Sequence, residues 1–189
     1  MAQGLPELHD RALAVTRDYV AGVGENQWNG PSPCEGWDVR ELVNHIVGGN
    51  FWAGELARGK TIDEVGDRLD GDILGDDPTA AYDESARAAS EAFQAPGAME
   101  APCAVSYGPV PGEVYLGHRF IDVVVHRWDV AKATGQDPTL PADLVLECTE
   151  VATPMDAMLR MPGVCGPAVA VADDASPQDR LVAFLGRNP

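Results

Sequence analysis

The chain has 189 residues, of which 45% are hydrophobic and 23% charged, a composition typical of a folded globular protein and not of a disordered one. Its formal net charge of −17 predicts a negative surface that repels phosphate backbones and anionic lipid, so we expect neither nucleic acid nor a membrane as a partner. The length suits one hydrophobic core, and we therefore predict a single domain over residues 1–189.

The N-terminal part of the chain predicts one helix and one loop. Apolar residues recur at three- and four-residue steps between Leu5 and Tyr19, which is the spacing of one helix face. Glycine and proline residues over 22–33 break this pattern, because glycine frees the backbone and proline removes a hydrogen-bond donor. We therefore predict a loop that carries Cys34 to Trp37.

A second helix is predicted by its start signal. Asp38, followed three residues later by Glu41, has the pattern of a capping box, and we expect the helix to end near Arg58, before Gly59. The following segment, residues 63–84, is crowded with acidic side chains but lacks the spacing of a calcium loop. We interpret it as a solvated loop rather than a cation site.

The middle of the chain predicts two further helices. Asp77 followed by Pro78 is typical of a helix start, and we expect this third helix to end at about Phe93. A Pro- and Gly-rich crossing follows over residues 98–112. Residues 113–134 are the longest apolar helix candidate and predict the fourth helix.

The C-terminal part predicts shorter elements. Residues 141–153 are typical of a helix that Pro154 interrupts, and residues 155–160 of a short helix after it. Residues 161–174 lack helical spacing, so we expect an extended pass over the bundle. Residues 176–186 begin with Ser-Pro and end with Gly, which predicts a short terminal helix.

Three residues on two predicted helices have the chemistry of a metal site. Asp122 lies inside an apolar helix, where an unpaired charge is expensive to desolvate. His126 is one turn further on, so both side chains leave one helix face about 6 Å apart. His45 lies on the core flank of the second helix. Two histidines and a carboxylate suit zinc above all, and also nickel, manganese or ferrous iron; the alternative is ordinary hydrogen bonding of each side chain.

Other polar residues near this group are weaker candidates. Asp129, three residues after His126, could accept the hydrogen bond of the imidazole's other N–H, or could cap a backbone group. His118 and His9 stay outside the predicted ligand set. Three arginines could recognise an anion, but we expect them at the surface: Arg40, Arg119 and Arg127.

The cysteines and the N-terminus favour a cytoplasmic protein. Residues 1–10 have no basic region followed by an apolar run, and no stretch approaches a membrane span. The cysteines form no C-x-x-C pair, so we interpret each as a reduced packing residue. They are Cys34, Cys103, Cys148 and Cys165.

Residues 33–50, 122–135 and 179–187 resemble the DinB/YfiT-like superfamily. Within it they are similar to the actinobacterial metal-binding branch related to mycothiol-dependent maleylpyruvate isomerase and mycothiol S-transferases. The resemblance implies an all-α fold, a DinB-like four-helix bundle with up-down-down-up connections and additional C-terminal helices. The core bundle would span about residues 5–135 and the C-terminal extension about residues 138–189.

The resemblance also implies that His45, Asp122 and His126 are metal ligands. Isomerase relatives have glutamate where this chain has Asp122. The ligand is a carboxylate in both cases, but the side chain here is one methylene group shorter, which implies a different pocket geometry. Arg87 is not taken as the counterpart of the additional catalytic arginine of the isomerases.

The function implied is a divalent-metal- and thiol-dependent transferase or isomerase that acts on a small electrophile. Mycothiol, or another low-molecular-weight thiol, would be activated as a thiolate by the metal. Two alternatives use the same three ligands: a metal-dependent hydrolase with metal-bound water, and a non-catalytic metal- or ligand-binding module. We also expect bundles of this kind to pair as homodimers through exposed helix faces.

Overall fold

Four long helices form a bundle in the computed structural model, which describes residues 4–189. The elements in chain order are α1 (Leu5–Ala21), α2 (Val39–Ala57), α3 (Ile62–Val65), α4 (Pro78–Phe93), β1 (Pro102–Val105), β2 (Gly108–Pro111), α5 (Gly112–Thr134), α6 (Ala142–Ala152), α7 (Asp156–Leu159) and α8 (Pro177–Phe184). Helices α1 and α2 each pack against both α4 and α5. The predicted all-α bundle with additional C-terminal helices is confirmed.

The side chains that predicted the helix starts act as N-caps in the structure. The Asp38 carboxylate accepts a hydrogen bond from the Glu41 backbone N–H at 2.8 Å, and the Glu41 carboxylate accepts one from the Asp38 N–H at 2.9 Å. Asp77 caps α4 and Ser176 caps α8 in the same manner, each accepting a backbone N–H three residues later. These caps satisfy backbone donors that a helix leaves unpaired at its N-terminus.

The core lies where the four long helices meet. Among its fully buried side chains are Leu42 and Ile46 of α2, Tyr82 of α4 and Phe120 of α5. Each large apolar side chain buried in this way contributes about 1.5–3 kcal/mol to folding. The Tyr82 hydroxyl donates to the carbonyl of Leu13 at 2.8 Å, so the one polar atom of this ring is satisfied. The packing holds α2 against α5, the two helices that carry the predicted ligands.

The Pro- and Gly-rich crossing contains a hairpin that sequence reasoning missed. Strands β1 and β2 pair antiparallel, with Cys103 opposite Val110. Pro109 and Pro111 lie in β2, and proline is tolerated there because a two-stranded sheet leaves one side of each strand unpaired. Gly108 has a φ of 117°, a conformation that favours glycine, and it directly follows Tyr107 in the connecting turn. The hairpin places Tyr107 beside α5.

The acidic segment is mostly exposed, as expected, but it also forms the short helix α3. Thr61 and Glu64 make a reciprocal capping box at its start. Asp72 forms an ion pair with Arg40 of α2 at 2.7 Å. The interpretation of residues 63–84 as a solvated loop is therefore wrong over residues 63–65, which belong to α3, because one capping box and the burial of Val65 suffice for a single helical turn.

The C-terminal elements cover one side of the bundle. Helix α6 packs against α5 and α8, and a 3-10 turn at Thr153–Met155 separates it from α7, where Pro154 predicted a break. Residues 161–174 contain neither helix nor strand, as predicted. No helix within residues 4–189 is both long and apolar enough to cross a membrane.

Candidate metal centre

The three predicted ligands converge between α2 and α5. His45 Nε2 lies 3.2 Å from Asp122 Oδ1, and His126 Nε2 lies 3.4 Å from the same oxygen. One donor atom from each residue lies within 4.8 Å of the other two. The i, i+4 spacing on α5 brings Asp122 and His126 to one face, and the packing of α2 supplies His45 opposite them.

These distances fit a divalent ion. Ligand atoms at about 2.0–2.1 Å from a tetrahedral ion lie about 3.3–3.4 Å from one another. The two nitrogen-to-oxygen distances, 3.2 and 3.4 Å, are close to this value. The imidazole rings of His45 and His126 meet edge to face, with centroids 4.8 Å apart, so their Nε2 atoms can face a common point. Three protein donors leave coordination positions open for water or substrate.

Arg119 holds the second oxygen of Asp122. Its Nη1 lies 3.0 Å from Asp122 Oδ2, and its Nη2 donates to Asn50 Oδ1 at 3.2 Å. Asn50 in turn donates to Ser85 Oγ at 3.3 Å. Only 7% of Arg119 is exposed, so the expectation that it lies at the surface is wrong. A buried cation needs an anionic partner, and Asp122, whose side chain is 24% exposed, is that partner.

Gly49 leaves the space that Arg119 occupies. A Cβ atom at Gly49 would lie 2.5 Å from the Cζ atom of Arg119, whereas one at the neighbouring Gly48 would lie 3.7 Å from the Cδ1 atom of Ile73, an ordinary contact. A side chain at Gly49 would therefore displace a guanidinium that the ion pair with Asp122 keeps in place.

We expect Gly49→Ala to lower the free energy of unfolding by about 1–3 kcal/mol, because overpacking forces a buried side chain out of its position. Gly48→Ala is the matched control on the same helix and should raise it by about 0.5–1 kcal/mol through helix propensity. Urea denaturation of both variants measures the difference. Equal stability of the two would show that Arg119 moves aside freely.

The other nitrogen of His126 faces a second charged group. Its Nδ1 lies 2.9 Å from Asp129 Oδ2, the placement proposed for Asp129 on the sequence. Asp129 is completely buried, and Arg187 from the C-terminal tail binds it with Nη2 at 2.7 Å and Nε at 3.2 Å. Cys34 lies beside them, its thiol 3.4 Å from Asp129 Oδ2. These contacts orient the ring so that Nε2 faces Asp122 Oδ1, at 3.4 Å.

The charges of these residues determine their protonation. Burial by itself would raise the pKa of Asp122, but Arg119 and the two imidazoles outweigh it and hold that pKa well below its usual value. Burial would lower the pKa of His126, but the charge of Asp122 and hydrogen bonds to both carboxylates raise it well above its usual value. The pKa of Asp129 is likewise lowered, despite burial, by His126 and Arg187. An ion that binds here would therefore meet anionic carboxylates and displace a proton from His126.

A cleft of about 220 Å³ opens beside the donor atoms. Asp122 and His126 line it, together with apolar side chains such as Val125. On its polar side the hydroxyl of Tyr107 lies 3.0 Å from His118 Nδ1. A second and larger groove of about 980 Å³ lies between α6 and α8, and within residues 4–189 it shares no lining residue with the cleft. Only the smaller of these two cavities is therefore lined by predicted ligands.

Several sequence interpretations change at this site. Cys34 was interpreted as a packing residue, yet it contacts His126 and Asp129. Arg187 is a residue that sequence reasoning misses, because the only signal for it is the likeness of residues 179–187 to the usual family ending. Cys103 and Cys148 are buried in the core, as expected.

The remaining candidates lie elsewhere. His9 is buried against Phe93, and Arg40 pairs with Asp72 near the surface. Arg127 is 3% exposed, so the surface expectation for it is wrong. Its guanidinium carbon lies 3.7 Å from the centre of the Tyr19 ring, a cation–π contact within the protein interior.

Comparisons with known proteins identify the family and the fold of the chain. The family model of the mycothiol maleylpyruvate isomerase N-terminal domain matches residues 9–131, which include every predicted ligand and Asp129. Uncharacterized proteins from two strains of Mycobacterium tuberculosis are each 37% identical to the chain over 185 residues, 95% of this chain and 95% of theirs. The crystal structure of a mycothiol-dependent maleylpyruvate isomerase variant superimposes with a TM-score of 0.62 and 15% identity, over 90% of this chain and 75% of that chain, which shows a shared fold. The chain belongs to the mycothiol maleylpyruvate isomerase N-terminal domain family.

Proposed function

We propose that the protein binds one divalent metal ion, zinc in the first place, between His45, Asp122 and His126. With mycothiol or another low-molecular-weight thiol as cofactor, the protein would either transfer that thiol to a small electrophile or isomerise the electrophile. Family membership supports the thiol, and the matched isomerase structure supports the fold that carries it. The observation that carries the proposal is the approach of both imidazole Nε2 atoms to one carboxylate oxygen, at 3.2 and 3.4 Å.

The protein's own residues prepare the site for this chemistry. A divalent ion with open positions lowers the pKa of a bound thiol, which supplies a thiolate nucleophile at neutral pH. Arg119 keeps Asp122 anionic and fixes its orientation from the side away from the imidazoles. Asp129 accepts the Nδ1–H of His126 and thereby leaves the Nε2 lone pair free for the ion. These residues hold ligands and protons in place but supply no nucleophile.

An external thiol is favoured over a cysteine of the chain. Cys165 lines the cleft, but burial raises the pKa of its thiol, which leaves less thiolate at neutral pH. Cys34 faces Asp129 and Arg187 on the opposite side of His126. The cleft of about 220 Å³ would take the electrophile or the thiol-bearing end of the cofactor, with Tyr107 and His118 on its polar side.

Thermal unfolding with and without metal tests the proposal. A thiol at a hundred times its dissociation constant should stabilise the folded protein by about 2.7 kcal/mol. That stabilisation corresponds to a rise in Tm of about 5–10 °C for a chain of this size. We expect the rise with mycothiol in zinc-loaded protein and not in chelator-treated protein, nor in a zinc-treated His45→Ala variant.

The outcome separates the three candidate functions. An equal rise in Tm without metal would contradict a metal-bound thiol. Metal binding with hydrolysis of small esters or amides but no response to thiols would favour the metal-dependent hydrolase. Tight metal binding with neither response would favour a binding module. Homodimer formation and a cytoplasmic location stay predictions.

A further inference from the structure

A second group of metal donors lies on the opposite side of His126. His126 Nδ1, Asp129 Oδ2 and Cys34 Sγ form a triangle with sides of 2.9, 3.4 and 3.8 Å. All three atoms lie within 4.8 Å of one another. A thiolate, an imidazole and a carboxylate suit zinc and cadmium. Because it contains sulfur, this group is the softer of the two sets of donors. Donor chemistry alone would therefore direct such an ion to the Cys34 side.

Arg187 already places a positive charge among these donors. Its Nη2 atom lies 2.7 Å from Asp129 Oδ2, 3.5 Å from His126 Nδ1 and 3.8 Å from Cys34 Sγ. One guanidinium nitrogen is thus in reach of every atom that would bind the ion. Because arginine stays protonated at any ordinary pH, this charge is permanent.

The C-terminal tail holds Arg187 in this position. Gly186 adopts a φ of 82° directly after α8, which turns the chain back toward the bundle. The backbone N–H of Arg187 donates to the carbonyl of Val182 at 2.9 Å, and its Nη1 donates to the carbonyl of Leu185 at 2.8 Å. Only 13% of the side chain is exposed. Hydrogen bonds therefore hold both the backbone and the guanidinium of Arg187.

We propose that Arg187 masks a second metal site, formed by Cys34, His126 Nδ1 and Asp129, and so restricts the ion to the Nε2 side of His126. This rests on the proposed metal centre at His45, Asp122 and His126. Repulsion between the guanidinium and a divalent ion disfavours occupation of the Cys34 side. Arg187 is in this sense a positioning residue, since it acts on the metal through Asp129 and His126 and determines which nitrogen of the shared ring is available.

Cadmium titration of metal-depleted protein tests the masking directly, because a cadmium–thiolate bond absorbs in the ultraviolet. The first equivalent of cadmium should give no thiolate band in the wild type. Arg187→Gln, which keeps an N–H donor toward Asp129 but removes the charge, should show the band of one bound thiolate. The band should disappear in Arg187→Gln/Cys34→Ser, which separates Cys34 from Cys165. Arg180→Met, at an exposed arginine of α8, is the matched control and should behave as the wild type.

A Cys34-dependent band in the wild type at one equivalent would overturn the proposal, as would a folded Arg187→Gln variant that binds cadmium without the band. Circular dichroism establishes folding, and Arg187→Met is measured in the same way if the glutamine variant fails to fold. The wild-type titration decides in either case whether Cys34 is masked. No thiol cofactor is present, so this result is independent of the thermal-shift test of the proposed function.

Discussion

His126→Ala is expected to weaken metal binding strongly, because this ring supplies Nε2 to the only group of donors that Arg187 leaves open among residues 4–189. Losing one of three protein ligands should cost about 3 kcal/mol of binding free energy, a factor of roughly 10² in affinity. The substitution also leaves Asp122 with one imidazole fewer near its buried charge. Metal analysis of protein purified without a metal-binding tag, followed by a competition titration with a chelator, measures the loss.

His118→Ala is the matched control for this prediction. His118 lies on α5 two turns before His126, but it contacts Tyr107 and does not belong to either group of metal donors. The control should keep the wild-type metal content and affinity. Equal metal content in His126→Ala and the wild type would remove the premise of the metal centre, whereas loss in both variants would move the site toward the Tyr107 side of the cleft.

Metal affinity is expected to fall steeply as the pH is lowered. The pKa of His126 in the metal-free protein is raised well above the ordinary 6.5, and the ion requires the neutral ring. A proton therefore competes with the metal throughout the range below that raised pKa. The apparent affinity should fall by about tenfold for each pH unit from this residue alone. Chelator competition at about pH 6, about pH 7 and about pH 8 measures the slope, and a flat profile would contradict the proton release.

The stability of the metal-free protein should depend on pH in a related way. His126 has a raised pKa, so its stabilising contribution is complete below about 6.5 and is lost as the pH rises through the raised value. Asp122 and Asp129 have lowered pKa values, so their contributions are complete above about 3.8 and are lost as the pH falls through the lowered values. The site therefore stabilises the metal-free fold most between these limits, while the metal binds best at higher pH.

Local signals along the chain were sufficient for the bundle helices. The capping box of Asp38 and Glu41, and the apolar run of α5 closed by Gly135, are interactions among near neighbours, so sequence spacing predicts them well. The i, i+4 spacing of Asp122 and His126 is of the same kind. The hairpin at 102–111 was missed because its prolines indicate a break in regular structure unless the pairing partner is known.

The sequence by itself determined the family, the helical class and the residue types of the three predicted ligands, because each depends on residue types and on spacing within single helices. Only the tertiary structure decided what surrounds them. Cys34, Asp129 and Arg187 are 95 and 58 residues apart along the chain, yet they meet at the Nδ1 atom of His126. Such a cluster depends on how the tail after α8 reaches α5, and the periodicity of a single segment does not predict that packing. The physical reason is that a charge removed from water needs a partner nearby in space. Arg119 is buried and Arg187 largely shielded from solvent because Asp122 and Asp129 are there to pair with them.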